Sequence, residues 1–181
     1  MGLPGSQRNV ERLVNEHYES LYRFAYRLTG TTADAEDLTQ EAFCSAQLKY
    51  DQLRDPARAK SWLFSILRNA YLRRLRSEKN KAVVSTDLLE DLAEPLPDPL
   101  PPVDPERLQE TIHELPEVFR TLIILYYFEE FSYRDIAEQM DLPVGTVMSR
   151  LARAKAHLKS RLMLPDGQVA AEAIRRATDG L

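Results

Sequence analysis

Thr146, Ser149, Arg150, Arg153 and His157 recur at helical spacing near the end of this 181-residue chain, with no carboxylate among them. Hydroxyl and guanidinium groups on one helix face are donors suited to phosphate oxygens and base edges, the chemistry of nucleic-acid contact. The opposite side carries Val147, Leu151, Ala154 and Leu158, spaced four, three and four apart, so the helix has an apolar side to bury. Just before it, Ser132 and Asp135 stand in capping-box spacing at the start of a shorter helix whose apolar side is Ile136, Ala137 and Met140. Asp141-Leu142-Pro143 ends that helix, because proline disfavours the helical conformation in the residue before it. Phe131–Leu158 therefore reads as a helix-turn-helix whose second helix, starting near Pro143, touches DNA.

A second basic stretch lies upstream. From Arg68 to Lys81 there are six bases (Arg68, Arg73, Arg74, Arg76, Lys79, Lys81) against Glu78. From Val144 to Arg161 there are five bases and no acid, whereas Asp87 to Glu110 holds eight acids against Arg107. The net charge of −4 thus averages over two basic patches separated by an acidic stretch, a pattern suited to two contacts with a polyanion.

The elements that must position these groups are helical. Val14, Tyr18, Leu21, Phe24, Ala25 and Leu28 line one face of a first long helix, which Gly30 is placed to end. Thr31 and Asp34 form the capping pair of a second helix, Thr32 to about Leu48, with Ala35, Leu38, Ala42, Phe43 and Ala46 inside. Its outer face carries Asp34, Asp37 and Glu41, with Gln40 beside them. Arg54-Asp55-Pro56 reads as a loop. A third helix runs from about Ala57 to Ser77, with Trp62, Leu63, Ile66, Leu67 and Ala70 for packing. Six prolines between Glu94 and Pro105 preclude a helix and predict an extended, semi-stiff linker that leaves the two sides unfixed relative to each other. Beyond it come a helix around 106–114, a Leu115-Pro116-Glu117 start and a very apolar helix through Phe128. The expected fold is all-α: two small helical domains, 1–82 and 105–164, joined by a Pro-rich acidic linker, 83–104, the second containing the helix-turn-helix. A tail, 165–181, has room for a short helix, Val169 to Thr178.

Several function classes are disfavoured. The longest apolar run, Leu122 to Phe128, is too short to span a bilayer, and the N-terminus lacks the apolar stretch of a secretory signal. Cys44 is the single cysteine, so no internal disulfide forms, and its reading is a small buried hydrophobe rather than a redox sensor. Trp62 reads as core in preference to a base-stacking platform. His17, His113 and His157 show no metal-site spacing, and no nucleophile–base pattern or phosphate-binding glycine loop occurs. No catalytic residue, metal or cofactor is expected.

The chain resembles bacterial RNA polymerase sigma factors of the extracytoplasmic function (ECF) group. DAEDLTQEAF, Asp34 to Phe43, is similar to the family's polymerase-binding helix. SWLFSILRNAYLRRLR, Ser61 to Arg76, is similar to its −10 recognition helix, and Leu115 to Leu158 to its −35 recognition domain. The three occur in the family's order and cover most of residues 13–162. The resemblance implies a transcription-initiation subunit, not an enzyme, that acts in the bacterial cytoplasm. Its partners would be core RNA polymerase, promoter DNA and an anti-sigma factor, without membrane insertion of its own. It further implies that Asp37, Gln40 and Glu41 face the polymerase clamp, and that Arg68, Asn69, Arg73 and Arg74 meet the −10 element. Thr146, Ser149, Arg150 and Arg153 match the −35 reading positions. Two positions depart from the family: Met148 stands where a base is common, and Arg73 where an acid is common. A dimeric helix-turn-helix repressor would explain Phe131–Leu158 but leave Thr31–Arg76 without a role; an adaptor using the acidic helix would leave the basic faces unexplained.

Overall fold

The structure, a computed structural model, describes residues 4–79 and 104–163. Most of the expected linker, 83–104, and the whole of the tail, 165–181, with its helix at Val169–Thr178, lie outside the described residues.

Among the described residues, seven α-helices form two halves. The N-terminal half holds α1 (Pro4–Thr29), α2 (Thr32–Leu48) and α3 (Ala59–Lys79). Gly30 ends α1 at φ +81, a left-handed conformation that glycine adopts without strain. Thr31 caps α2 by accepting from the Asp34 amide. Ala35, Leu38, Ala42 and Ala46 are fully buried, so the inner face of α2 lies as its periodicity predicts. Between α2 and α3 the chain makes two 3-10 turns, Tyr50–Gln52 and Pro56–Arg58. The second absorbs the residues expected to begin the third helix: Asp55 caps the Ala57 amide, and regular helix starts at Ala59.

The C-terminal half holds α4 (Pro105–Glu114), α5 (Glu117–Ile123), α6 (Tyr133–Met140) and α7 (Val144–Met163). The apolar helix expected to run through Phe128 changes its winding at Ile124. Ile124–Phe128 forms a π-turn, with the Glu129 amide donating to the Ile124 carbonyl at 3.2 Å. Such wide turns displace a helix terminus, and here Phe128 is brought beneath the Arg27 guanidinium, 3.8 Å from the ring centroid.

Two expectations about single residues are corrected. Tyr18 is 45% exposed and lies at the rim, stacked with Tyr22 and Phe43. Cys44 is exposed, not buried. It follows Asp37 by seven residues and Gln40 by four, which places it on the outer face of α2. Trp62 is half-buried: it packs against the core and also lines a surface cleft.

The halves are not independent in position, contrary to what the proline-rich linker suggests. Their cores are continuous through the Phe64 and Phe131 rings, whose centroids are 5.2 Å apart. Around this contact Arg120 donates to the Leu28 carbonyl and the Tyr71 hydroxyl, and Gln109 donates to the Arg27 carbonyl.

Candidate nucleic-acid and polymerase interfaces

The helix-turn-helix is held by local rules that its sequence states. Ser132 and Asp135 form the reciprocal capping box at the start of α6. Satisfying two amides in this way is worth about 1 kcal/mol. Asp141 ends α6 in the left-handed region at φ 53, and the Leu142 amide returns to the Ala137 carbonyl. The Pro143 carbonyl then accepts from Thr146 and Val147, starting α7. Val147, Leu151, Ala154 and Leu158 are buried, which fixes the opposite face outward. Ser149 is exposed and donates to the Thr146 carbonyl; Thr146, Arg150 and Arg153 are half-exposed beside it. Met148 is 50% exposed, so its apolar side chain sits on the surface rather than in the core.

The −10 candidates on α3 are arranged differently from one another. Asn69 is exposed. Arg73 donates to Glu41 Oε1 at 3.0 Å, and Arg74 places two donors on Glu41 Oε2 at 3.1 and 2.9 Å. Arg68 is half-buried and donates to the main-chain carbonyl of Gln139 on α6 at 3.2 Å. Burial lowers the Arg68 pKa from its ordinary value, though a guanidinium stays charged at any physiological pH.

Asp37 and Gln40 are exposed on α2, and Glu41 is half-buried beside them. The structure therefore joins two groups that the sequence reading kept apart: Glu41, assigned to a protein partner, is the ion-pair partner of Arg73 and Arg74, assigned to DNA. Burial of Glu41 opposes its charge, but hydrogen bonds from Arg74 and Arg73 more than offset this and hold its carboxyl below the usual range.

Sequence reasoning missed a further cationic cluster between α2 and α3. Arg54 and Arg58 line an open cleft of about 310 Å³ together with Trp62, and Lys60 follows at the start of α3. Arg58 pairs with Glu138, and Lys60 donates to the Glu129 carbonyl at 2.8 Å. The available signal was three bases, Arg54, Arg58 and Lys60, within seven residues of a loop that leads into a tryptophan. Among the described residues no group of His, Cys, Asp and Glu could hold a metal ion, and no helix is long and apolar enough to cross a membrane.

Comparison with known proteins follows the same division. The sigma-70 region 2 family matches residues 13–81, and the sigma-70 region 4 family matches residues 106–158. The ECF RNA polymerase sigma factor SigW of Bacillus subtilis is 30% identical over 170 residues, which is 87% of this chain and 91% of that protein. The RNA polymerase sigma-H factor of Pseudomonas aeruginosa is 30% identical over 170 residues, 87% of this chain and 88% of that protein. Among solved structures, the sigma factor RpoE in complex with the anti-sigma factor NepR, from Bartonella quintana, superposes with a TM-score of 0.71. Its sequence is 27% identical, and the match covers 87% of this chain and 98% of that one.

Proposed function

We propose that this chain, which belongs to the ECF group of sigma-70 family RNA polymerase sigma factors, directs core polymerase to promoters by reading two DNA elements with its two halves. The observation that carries this reading is the order of the parts. An acidic exposed face on α2, a cationic face on α3 and a carboxylate-free face on α7 coincide with the two family matches.

In this reading Asp37, Gln40 and Glu41 dock on the polymerase clamp. Arg68, Asn69, Arg73 and Arg74 meet the −10 element, where guanidinium groups hold phosphates and a side-chain amide can pair with an unstacked base. Thr146, Ser149, Arg150 and Arg153 enter the −35 major groove. The domains are residues 1–82 and 105–164. The chain acts as a specificity subunit in the bacterial cytoplasm and performs no covalent chemistry; the polymerase does. Control by an anti-sigma factor is supported by the RpoE–NepR structure, whose sigma factor shares this fold over nearly its whole length.

Glu41 serves both faces, because it also aligns Arg73 and Arg74. The test is a titration of core polymerase with charge-reversed variants. Asp37→Lys should weaken core binding alone. Glu41→Lys should weaken core binding and also disturb promoter opening. Unchanged affinity in both variants, with helicity intact, would contradict the assignment of α2.

A further inference from the structure

The acidic face of α2 and the cationic face of α3 meet at one carboxylate. Glu41 follows Asp37 by four residues and Gln40 by one, at the edge of α2 that faces α3. Its two oxygens receive three donors. Arg73 reaches Oε1 at 3.0 Å, and Arg74 reaches Oε2 through Nε at 3.1 Å and a terminal nitrogen at 2.9 Å. A carboxylate offers about four acceptor sites, so there is room for one further donor. Local charge opposes it. One carboxylate stands against two guanidinium groups, so the clasp as a whole is cationic and repels an incoming cation.

The same clasp restrains the arginines. Arg73 lies four residues beyond Asn69, on the exposed face of α3. While both guanidinium groups are engaged on Glu41, part of their hydrogen-bonding capacity is withheld from phosphate oxygens. The Glu41 and Arg74 side chains are 35% and 34% exposed and that of Arg73 is 56% exposed, so partners can be exchanged without unfolding either helix.

We propose that Glu41 is a shared acceptor that couples the two contacts: in the free chain it holds Arg73 and Arg74, and a cationic partner surface that takes Glu41 releases both arginines to DNA. Either ligand breaks the clasp, so each favours the binding of the other, and the coupling is equal in both directions. The proposal rests on the reading of α2 as the polymerase-docking helix and of α3 as the −10 helix.

A double-mutant cycle on the full-length chain tests it. Arg73→Gln with Arg74→Gln frees Glu41. Glu41→Gln frees the arginines, and a third variant carries all three changes. Affinity for core polymerase is measured by calorimetric titration. Affinity for a short mixed-sequence single-stranded oligonucleotide is measured by fluorescence anisotropy, without polymerase.

The double arginine variant should bind core about threefold more tightly than wild type, the size expected of a partly exposed ion-pair cluster. That gain should vanish in the Glu41→Gln background. A gain that persists there would be a long-range charge effect and would overturn the proposal, as would unchanged or weaker core binding by the double arginine variant. Glu41→Gln should bind the oligonucleotide about threefold more tightly than wild type. Asp37→Asn removes the same charge from the same helix without touching the clasp, and an equal gain from it would also overturn the proposal. Failure of the underlying readings would look different. Full core affinity in Asp37→Lys would remove α2 from the docking surface. Oligonucleotide binding indifferent to the loss of Arg73 and Arg74 would remove α3 from the DNA. With both readings intact, a cycle without coupling overturns the shared acceptor alone.

Discussion

Glu129 should make the folded chain less stable as pH rises through neutrality. It follows the π-turn, is only 4% exposed, and lies where α1 and α3 bring Arg23, Arg27 and Lys60 near it. Burial dominates and pushes its carboxyl up to about 6, although Lys60, Arg23 and Arg27 pull it down. The folded-state value lies above the ordinary 4.5, so the folded state holds the proton more tightly than the unfolded chain. The associated stability is fully present below about pH 4.5 and is lost as pH rises through about 6. A displacement of about 1.5 units at ~1.36 kcal/mol each amounts to ~2 kcal/mol between the two limits. Glu129→Gln removes the titration while keeping shape. Chemical denaturation followed by circular dichroism should find the variant more stable than wild type by about 1–2 kcal/mol near pH 8. That advantage should shrink towards zero near pH 4.5. A variant that is less stable near pH 8, by as much as ~1 kcal/mol, would refute the reasoning. It would show that the charged carboxylate is held by Lys60 and Arg27 more strongly than burial opposes it.

Other outcomes follow from the same geometry. Arg150→Ala or Arg153→Ala should lose about 1–3 kcal/mol on a matched −35 element and less on a scrambled one, read by competition binding of holoenzyme. Arg73→Ala or Arg74→Ala should impair opening at the −10 element, seen as lost permanganate reactivity, and leave −35 discrimination alone. Leu38→Ala, at a fully buried position on α2, should lower stability by about 2–5 kcal/mol in denaturant titration. Reaction of native protein with a maleimide should modify Cys44 rapidly, because it is exposed on α2, and bound core polymerase should slow the reaction if α2 is the docking helix.

The elements with local signals were legible in the sequence. Thr31 with Asp34 and Ser132 with Asp135 marked helix starts by capping chemistry, and Gly30 and Asp141-Leu142-Pro143 marked ends. Apolar periodicity placed the inner faces of α2 and α7 correctly. The exposed placement of Asp37, Gln40 and Ser149 could be read from the same periodicity. The contacts between the halves were not legible. Arg58 and Glu138 are 80 residues apart, and the Gln139 carbonyl that Arg68 meets is a backbone group that no side-chain pattern marks. The Glu41 pairing with Arg73 and Arg74 joins residues that each look like free surface charges. The π-turn escaped because Ile124–Phe128 is apolar throughout and carries no breaker. Cys44 was misplaced by weighing residue type over helical position, and Tyr18 by treating a rim aromatic as core.

The central claim is that this chain confers promoter recognition on core polymerase. It is tested most directly by reconstituted run-off transcription, with core enzyme, purified chain and genomic promoter fragments. The account predicts discrete transcripts that require both components, open-complex reactivity at the −10 element, and loss of start-site choice when Arg150 and Arg153 are both replaced by alanine. Tight, sequence-specific duplex binding by a dimer of the isolated chain, with no polymerase-dependent transcript, would contradict it.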